Sequence, residues 1–270
     1  MLAGTTFVLM TTFMGAPALT ISTLPFDVPD AQVSVFKKLG QHLSEEIGRP
    51  IRFLPGQSYS KVVKKLLKKK IDVAFMGAAS YVRARKGKKV KAFLRTIRRR
   101  KSHYYGVIVV GRETGITTME GLRGKRFGFV DPDSTAGYHF AKELLKRSGL
   151  RPGADLDTLF VGSHHQVVEM VAKNELDAGA CYEGAQNMLA NPDEIIPIAR
   201  TDKIITDPVV ARAGLPAALI EKLRSAFISL STVEAAKQFL FYADIDGFLP
   251  AQDSDYDPIA KVLRQQNKAP

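Results

Sequence analysis

The chain has 270 residues, of which 45% are hydrophobic and 24% are charged, and these values fit a soluble globular protein with one large domain or two modest ones. The single cysteine, Cys181, excludes an intramolecular disulfide and a cysteine-rich metal site. The formal net charge of +12 is unevenly placed, because residues 61–101 carry 17 Lys and Arg against one acid, Asp72.

This basic segment, residues 61–101, has two interpretations. We favour a set of solvated helix faces; the alternative is a patch that attracts an anionic surface. Nucleic-acid binding is one form of that alternative. Core-like residues interrupt the basic runs 64–70 and 98–101, and no known nucleic-acid module is present. We therefore expect no nucleic-acid partner.

The first 18 residues are apolar and small and end in Ala-Pro-Ala, which is typical of the hydrophobic region and cleavage site of a signal peptide. The usual basic start is missing. We interpret residues 1–18 as a truncated export signal, with a buried strand or helix as the alternative. No later stretch has 18 uninterrupted apolar residues, so we expect the rest of the chain not to span a membrane.

After Ala18 the pattern alternates strands with helices. The predicted strands cover residues 19–24, 51–54, 72–76, 104–110, 126–130, 158–161, 178–181 and 195–199. Helices are predicted between them, at 33–47, 59–67, 78–84, 138–147, 166–173 and 184–189, and at the end, over 216–231, 232–242 and 258–265. Repeated β-α-β units predict an α/β fold with parallel sheets, in which ligands bind beyond the carboxyl ends of the strands.

The residues that follow the strand 126–130 form the clearest candidate site. A turn with Pro132 leads to Ser134 and Thr135, and then to a helix. The first N–H groups of a helix lack intrahelical acceptors, and two hydroxyls add donors, so the segment predicts an anion site. The alternative is that Ser134 or Thr135 only caps the helix.

Other candidates have ordinary structural alternatives. His164 and His165 follow a strand, but adjacent histidines rarely share an ion and no third ligand is evident, so we expect no metal. Asp207 precedes a proline and could belong to a turn, while Tyr59 and Tyr104 could belong to the core. No nucleophile elbow, phosphate loop, dinucleotide fingerprint or zinc-protease motif is present. We therefore expect that the protein is not an enzyme and binds no cofactor.

Taken in order, several segments resemble the phosphonate/phosphite-binding family of periplasmic solute-binding proteins of ABC importers. The matching segments are 72–81 (DVAFMGAASY), 104–110 (YYGVIVV), 122–137 (LRGKRFGFVDPDSTAG), 162–165 (GSHH), 176–179 (LDAG), 206–210 (TDPVV) and 247–250 (GFLP). The resemblance covers nearly the whole chain from Leu19 onward. Its most specific part is Asp-Pro-x-Ser-Thr-x-Gly, which starts at Asp131.

The resemblance implies a two-lobed type II periplasmic-binding-protein fold, with two parallel or mixed sheets flanked by helices and the ligand in the interlobe cleft. It places residues 19–109 in lobe one, 110–202 in lobe two, and 203–270 in lobe one again. The implied function is capture of a phosphonate, phosphite or phosphate ion outside the cytoplasm and delivery to the importer's permease. A monomer is expected, with membrane contact only through the permease or an N-terminal anchor.

The resemblance also implies roles for individual residues. Tyr59, Tyr104 and His164 match residues that contact the ligand, and Asp207 matches an acid that binds an amino group or accepts a proton from the ligand. The segment from Ser134 and Thr135 through Ala136 to Gly137 matches residues that donate hydrogen bonds to the phosphonate oxygens. Relatives often carry a third serine at the position of Ala136, so this chain lacks one hydroxyl there. Glu183 lies near an acid found in binders of aminoalkyl phosphonates, but its spacing is shifted by one residue. The ligand could therefore be an aminoalkyl phosphonate or phosphite, and both alternatives stay open.

Two other functions stay open at this point. A sensor protein of the same fold would bind the same ligand and signal through a membrane partner. An enzyme that acts on a phosphorylated small molecule could use His164, Glu183 and Asp207 as an acid–base set. The lack of an activated nucleophile or a cofactor motif weighs against the enzyme.

Overall fold

The structure is a computed structural model that describes residues 16–25 and 33–266. The prediction of a signal peptide at 1–18 therefore falls mostly outside the described residues. In the described part the strands are β1 (Leu19–Ser22), β2 (Ile51–Leu54), β3 (Val73–Phe75), β4 (Val90–Ile97), β5 (His103–Tyr104), β6 (Gly106–Gly111), β7 (Arg126–Phe129), β8 (Asp157–Phe160), β9 (Ala178–Tyr182), β10 (Ile195–Arg200), β11 (Ile204–Ile205), β12 (Pro208–Arg212) and β13 (Gly247–Pro250).

The helices flank these strands. They are α1 (Val33–Ile47), α2 (Tyr59–Leu67), α3 (Ala78–Ala84), α4 (a π-helical turn, Thr135–Phe140, that continues as an α-helix, Ala141–Arg147), α5 (His164–Ala172), α6 (Ala217–Ser229), α7 (Lys237–Tyr242) and α8 (Asp257–Gln266). None of the helices in the described residues is long and apolar enough to cross a membrane.

Two mixed sheets form the frame. The first has six strands in the order β13-β4-β12-β3-β1-β2, and the second has five in the order β10-β6-β9-β7-β8. In the first sheet β1 runs parallel to β2 and β3, and in the second β7 runs parallel to β8 and β9. The remaining pairs are antiparallel, so neither sheet is fully parallel.

The chain passes between the sheets twice, and the two passages pair with each other. β5 on the way out and β11 on the way back form a two-stranded antiparallel ladder. β6 begins directly after β5 and lies wholly in the second sheet, although the predicted lobe boundary at residue 110 divides it. The connection between the sheets is therefore short and double-stranded.

The first sheet packs one face against an aromatic cluster. Phe75 on β3 lies 5.8–6.0 Å, ring centroid to ring centroid, from three other phenylalanine rings. The cluster consists of Phe36, Phe53, Phe75, Phe227, Phe239 and Phe248. These rings are buried, and removing one from such a core typically costs about 3–5 kcal/mol. The cluster holds α1, α6 and α7 on the sheet.

Four of the strands in the described residues were not predicted: β4, β11, β12 and β13. β4 is the most informative, because it runs through the middle of the basic segment. Its pairing with β12 shifts register between Leu94 and Ala92, so Phe93 is an extra residue at a bulge, and Phe93 and Leu94 are both buried. The bulge breaks the alternation of period two by which strands are recognised. The predicted helix 184–189 is only a 3₁₀ turn, and 232–242 is helical in short pieces.

Both sheets direct strand ends to one cleft. In the first sheet, Pro25 follows β1, Gly77 follows β3, Arg98 follows β4 and Asp207 precedes β12. Their strands are paired in that sheet, so these four positions share one edge. In the second sheet, residues 131–134 follow β7 and lead into α4. The cleft between the two edges is where the site lies.

Candidate functional site

A cavity of about 670 Å³ lies between the two sheets. Its walls come from both sides of the double connection. The first-sheet side and the crossover contribute Leu24, Pro25, Tyr59, Gly77, Arg98, Tyr104, Asp207 and residues 240–246, and the second-sheet side contributes Ser134, Thr135, Ser163, His164, His165, Tyr182, Gly184, Asn187 and Met188.

Six of the nine sequence-predicted site residues line this cavity: Tyr59, Tyr104, Ser134, Thr135, His164 and Asp207. The other three lie elsewhere. Ala136 packs in a hydrophobic cluster behind the wall. Gly137 is buried against Val130, whose side chain lies only 2.3 Å from the position of a Cβ at residue 137. The Glu183 carboxylate pairs with Arg200 at 3.0 Å and stands outside the main cavity.

Ser134 fits both interpretations of its segment, the helix cap and the wall of an anion site. Its Oγ accepts the N–H of Gly137 at 3.1 Å, so Ser134 does cap α4. It also lines the cavity, next to Tyr59. Because the Gly137 N–H is engaged by Ser134, that N–H is not directed to the cavity.

The first turn of α4 is π-helical, with the His139 N–H bonded to the Ser134 carbonyl at 3.1 Å. Such turns are rare and occur often at functional sites. The turn places Thr135 with its Oγ1 accepting the Ala79 N–H at 3.0 Å. Ala79 is in the first turn of α3, so the starts of two helices from opposite sides of the cleft face each other across one hydroxyl.

The same contact continues along one side of the cleft. The Ser80 hydroxyl donates to the Asp133 carbonyl at 3.2 Å, and Arg83 pairs with the Asp133 carboxylate. Arg83 Nη2 also lies 2.7 Å from His139 Nε2. These bonds connect α3 to the segment before and within α4, so the cleft is closed along this side and the cavity is what remains inside.

His164 presents one hydrogen-bond donor. Its Nδ1 accepts the Tyr182 N–H at 3.2 Å, and the two rings pack edge to face with centroids 4.9 Å apart. Burial, and then the nearby Arg98 guanidinium, lower the pKa of His164 to about 3. The imidazole is therefore neutral at physiological pH, with its proton on Nε2, since a neutral ring has one donor and one acceptor nitrogen.

Asp207 lies between a tyrosine and an arginine. The Tyr104 hydroxyl donates to its Oδ1 at 3.5 Å, and Arg98 Nη2 lies 3.8 Å from its Oδ2. Burial raises the pKa of Asp207, while Arg98, the Ala78 N–H and Tyr104 oppose the rise. Burial and the Asp207 charge both raise the pKa values of Tyr59 and Tyr104, so these phenols keep their protons as donors.

Arg98 is a cavity residue that the sequence analysis missed. Its Nη1 donates to the carbonyls of Ala243 at 3.1 Å and Asp244 at 2.8 Å and lies 3.2 Å from Asp244 Oδ2. The guanidinium is 5.3 Å from the centroid of the Tyr182 ring. Only a tenth of the side chain is exposed. A buried guanidinium beside several neutral donors is suited to a bound oxyanion.

A tight turn fixes the position of Arg98. The backbone groups of Arg98 and Lys101 exchange two hydrogen bonds of 2.8 and 2.9 Å, so only Arg99 and Arg100 form the turn. Their φ angles are +49° and +58°, a left-handed conformation that costs a non-glycine residue about 1 kcal/mol or more. The Arg100 N–H donates to Asp246 Oδ2 at 2.6 Å, which holds the turn against the wall of the cavity.

A usable signal for Arg98 existed. Ser134 and His164 both follow strands, and ligands in α/β sheets bind beyond the ends of strands. Had β4 been recognised, Arg98 would have been its first post-strand residue. It was instead grouped with the solvated charges of the basic segment.

The mouth of the cavity is apolar and exposed. Phe241 is 79% exposed and packs edge to face with Tyr242, while Met188 lines the opposite side. The deep part of the cavity is polar and the mouth is not, which suits a ligand with a charged group and an apolar part. In the described residues no group of three or more His, Cys, Asp or Glu side chains is arranged to hold a metal ion.

Comparison with known proteins gives consistent matches. The family described as "ABC transporter, phosphonate, periplasmic substrate-binding protein" matches residues 21–256. Among curated proteins, the chain is 23% identical to the phosphate-import protein PhnD of Mycolicibacterium smegmatis, over 93% of this chain and 87% of that protein. It is 22% identical to a probable ABC transporter phosphite-binding protein, PhnD1, of Prochlorococcus marinus, over 95% of this chain and 92% of that protein.

Solved structures share the fold. PhnD1 of Prochlorococcus marinus, solved in complex with methylphosphonate, superposes with a TM-score of 0.82 at 22% identity, covering 93% of this chain and 99% of that one. The binding protein of a Pseudomonas aeruginosa ABC phosphonate transporter also gives 0.82, at 18% identity, covering 91% and 85%. The fold is that of type II periplasmic binding proteins, as predicted. Because the family match spans most of its length, the chain belongs to the periplasmic substrate-binding proteins of phosphonate ABC transporters.

Proposed function

We propose that this protein captures a phosphorus oxyanion, namely phosphonate, phosphite or phosphate, in the cavity between its two sheets and delivers it to the permease of an ABC importer. The observation that carries the proposal is the convergence of one buried guanidinium with neutral donors in a single cavity. The neutral donors are the hydroxyls of Tyr59, Ser134 and Thr135, and His164 Nε2–H. The named relatives are import proteins, which supports transport over catalysis.

The arrangement explains how an anion can leave water. A buried anion has to replace its hydration with hydrogen bonds, and bonds to a charged group are stronger than those between neutral groups. Ser134 and Thr135 each hold one acceptor role already, toward Gly137 and Ala79, so their hydroxyl protons are directed elsewhere. Arg98 supplies the opposite charge. Together they offer several donors to one tetrahedral group.

Asp207 gives the site a preference for a protonated ligand. An ionised carboxylate accepts hydrogen bonds but donates none, so it can meet an anion only through a proton on the ligand. A phosphorus oxyanion can supply the proton near neutral pH, whereas sulfate cannot. The same carboxylate could pair with an ammonium group on an aminoalkyl phosphonate.

The size of the cavity favours a ligand with an organic group. A water molecule occupies about 30 Å³, so an inorganic tetrahedral oxyanion fills only on the order of 100 Å³. The cavity is about 670 Å³, and its mouth is lined by Phe241, Tyr242 and Met188. This room and this lining support a phosphonate with an apolar substituent. In this proposal the protein works outside the cytoplasm as a monomer.

Isothermal titration calorimetry with an oxyanion panel tests the proposal. Methylphosphonate, a phosphonate with a larger organic group, phosphite, phosphate and sulfate are each titrated into the purified protein. We expect one-to-one binding of at least one phosphorus oxyanion and weaker binding of sulfate. If none of the phosphorus oxyanions binds, or if sulfate binds as tightly as the best of them, the proposal is wrong.

A further inference from the structure

Six lysines collect at the end of the first sheet that faces away from the cleft, and we call this surface the lysine end. They occupy the loop between α2 and β3 and the loop between α3 and β4: Lys68, Lys69, Lys70, Lys86, Lys88 and Lys89. β3 and β4 run in the same direction, since each is antiparallel to β12, so both loops precede strands at the same edge. All six side chains are exposed.

The charge of the lysine end is not neutralised locally. Among the described residues, none of the six lysines has a carboxylate within ion-pair distance. The neighbouring acids are already engaged: Asp72 binds Arg212 Nε at 2.8 Å and the Thr20 N–H at 2.9 Å, and Asp257 binds Arg85 at 2.6 Å. The surface therefore carries a concentrated, uncompensated positive charge.

Two of the lysines stand where glycine would be favoured. Lys69 has a φ of +56° and follows Lys68, the C-cap of α2, and Lys88 has a φ of +52° and is the C-cap of the 3₁₀ turn 85–87. Glycine adopts this conformation without the steric cost of a side chain. A lysine at each position gives up local stability and adds charge to the same surface, which points to a use for the charge.

The lysine end is also where the described chain begins. β1 starts at Leu19 beside the start of β3, with the Asp72 N–H donating to the Thr20 carbonyl at 2.8 Å. Residues 16–18 are exposed there, and Arg49 Nε donates to the Pro17 carbonyl at 2.6 Å. The preceding residues, 1–15, contain no charged side chain and are joined to the protein at this end.

We propose that the lysine end docks on an anionic phospholipid surface. Lysines near such a surface are attracted within a Debye length of about 8 Å, and they act together when they lie on one face. The family works on the extracytoplasmic side, where a bilayer is the extended polyanion at hand, and the uncharged segment 1–15 joins the protein at this same end. Docked in this way the cleft faces the solution, because α2 and α3 both run from the cleft to the lysine end. Capture of the oxyanion is then compatible with docking, whereas delivery to the permease requires release from the lipid.

Vesicle co-sedimentation of the full chain tests this docking. Vesicles of phosphatidylglycerol mixed with phosphatidylcholine are compared with vesicles of phosphatidylcholine alone, at physiological salt. The triple variant Lys68→Gln/Lys70→Gln/Lys89→Gln removes three charges from the lysine end. Lys125→Gln/Lys146→Gln/Lys222→Gln removes three charges from exposed sites elsewhere and is the matched control.

We expect wild type to partition more strongly onto the anionic vesicles than onto phosphatidylcholine. Each lysine contributes roughly a fivefold factor, so the lysine-end triple should lose about a hundredfold in partitioning while the control keeps wild-type binding. The double variant Lys69→Gly/Lys88→Gly should bind vesicles more weakly yet melt at a higher temperature, since glycine relieves the left-handed backbone. A purely structural role for the lysines would not separate these two readouts.

Three results would overturn the proposal: no binding of wild type to anionic vesicles, equal loss in both triples, or retention of binding by the lysine-end triple. Preferential binding to duplex DNA in a direct competition would also overturn it in favour of a nucleic-acid surface. Oxyanion titration of the same variants keeps this test separate from the proposed function, because the cavity is untouched. Loss of vesicle binding with unchanged oxyanion affinity assigns the effect to the lysine end alone.

Discussion

The two ends of the first sheet are built from the same basic segment but use its charges in opposite ways. At the cleft end Arg98 is buried, bonded to two carbonyls and a carboxylate, and held by a strained turn. At the lysine end the cations are exposed and lack carboxylate partners among the described residues. One charge at a strand end inside a cavity can bind a small anion, whereas many exposed charges can only attract an extended one.

The distance between the two ends makes them independent. β4 spans the sheet from Lys89, just before it, to Arg98, just after it, which is roughly 30 Å of extended chain. This is several Debye lengths at physiological salt. Charge at the lysine end should therefore not influence an anion in the cleft, and each end can be changed without the other.

The largest expected effect comes from Arg98→Gln. The change leaves Asp244 and Asp207 without their buried cation, and breaking such a pair destabilises a fold by about 3–5 kcal/mol. Oxyanion affinity should fall by about 2–5 kcal/mol, or roughly 30-fold to several thousandfold. Chemical denaturation and calorimetry measure the two effects.

Arg100→Gln is the matched control for this variant, because Arg100 is exposed and its backbone N–H contact with Asp246 survives the change. If Arg98→Gln binds the oxyanion as tightly as Arg100→Gln does, the guanidinium has no part in binding. The contrast between the buried arginine and the exposed cations would then fail.

The next effect concerns the two hydroxyls. Thr135→Val and Ser134→Ala each remove a donor to a charged oxygen, which should weaken oxyanion binding about ten- to hundredfold. Ser134→Ala should also lower stability by about 1 kcal/mol through the lost cap of α4. Ser229→Ala, at a hydroxyl far from the cavity, is the control. Unchanged affinity in both cavity variants would reduce these residues to structural roles.

Asp207→Asn should change the pH dependence more than the affinity itself. In wild type the carboxylate accepts a proton from a monoprotonated ligand, so affinity should fall as the pH rises and the ligand loses that proton. An asparagine amide can donate to the fully ionised ligand, so the variant should show a flat or inverted profile. Calorimetry from pH 5 to pH 9 in buffers of different ionisation enthalpy measures this. Parallel profiles for the two proteins would contradict the assignment.

His164 should show no titration in the range where histidines usually respond. Because burial and Arg98 lower its pKa to about 3, its ring should stay neutral down to about pH 4, and NMR of the imidazole nitrogens can follow this. The unfolded chain takes up this proton near pH 6.5, so the free energy of unfolding should decrease as the pH falls from about 6.5 toward 3. A titration midpoint near 6 would mean that the ring is solvated.

The last prediction is that a change at the lysine end has no effect on oxyanion binding. Lys68, Lys69 and Lys70 changed together to Gln should leave both the oxyanion association rate and its salt dependence unchanged, because these residues lie at the far end of the sheet. Stopped-flow binding at two ionic strengths measures this. A slower association with a weaker salt dependence would show that the lysine end steers ligands, and the two ends would then not be independent.

The sequence predicted the parts of this molecule in which local pattern and tertiary structure agree. Helix α2 and strand β2 have the predicted bounds, because their apolar spacing is regular and their ends carry clear caps or glycines. Ser134, Thr135 and His164 were found because they follow recognisable strands. β4 was missed because a bulge at Phe93 and the charged residues Lys91 and Arg95 obscure its alternation, and Arg98 was missed with it.

Contacts between distant segments could not be predicted. The bond from Ala79 to Thr135, the packing of Tyr182 on His164 and the ion pair of Arg98 with Asp244 each join residues that only the fold brings together. Glu183 is the opposite case: the resemblance suggested a position in the cavity, but its carboxylate pairs with Arg200 outside it.

The central claim is that a phosphorus oxyanion binds at the cleft end, between the start of α4 and Arg98. The most direct test is a crystal structure of the protein with bound methylphosphonate. We expect phosphonate oxygens within hydrogen-bond distance of the Ser134 and Thr135 hydroxyls, His164 Nε2 and the Arg98 guanidinium, with the methyl group directed to the mouth of the cavity. A phosphonate bound elsewhere, or one in the cavity that contacts neither Arg98 nor the start of α4, would contradict it.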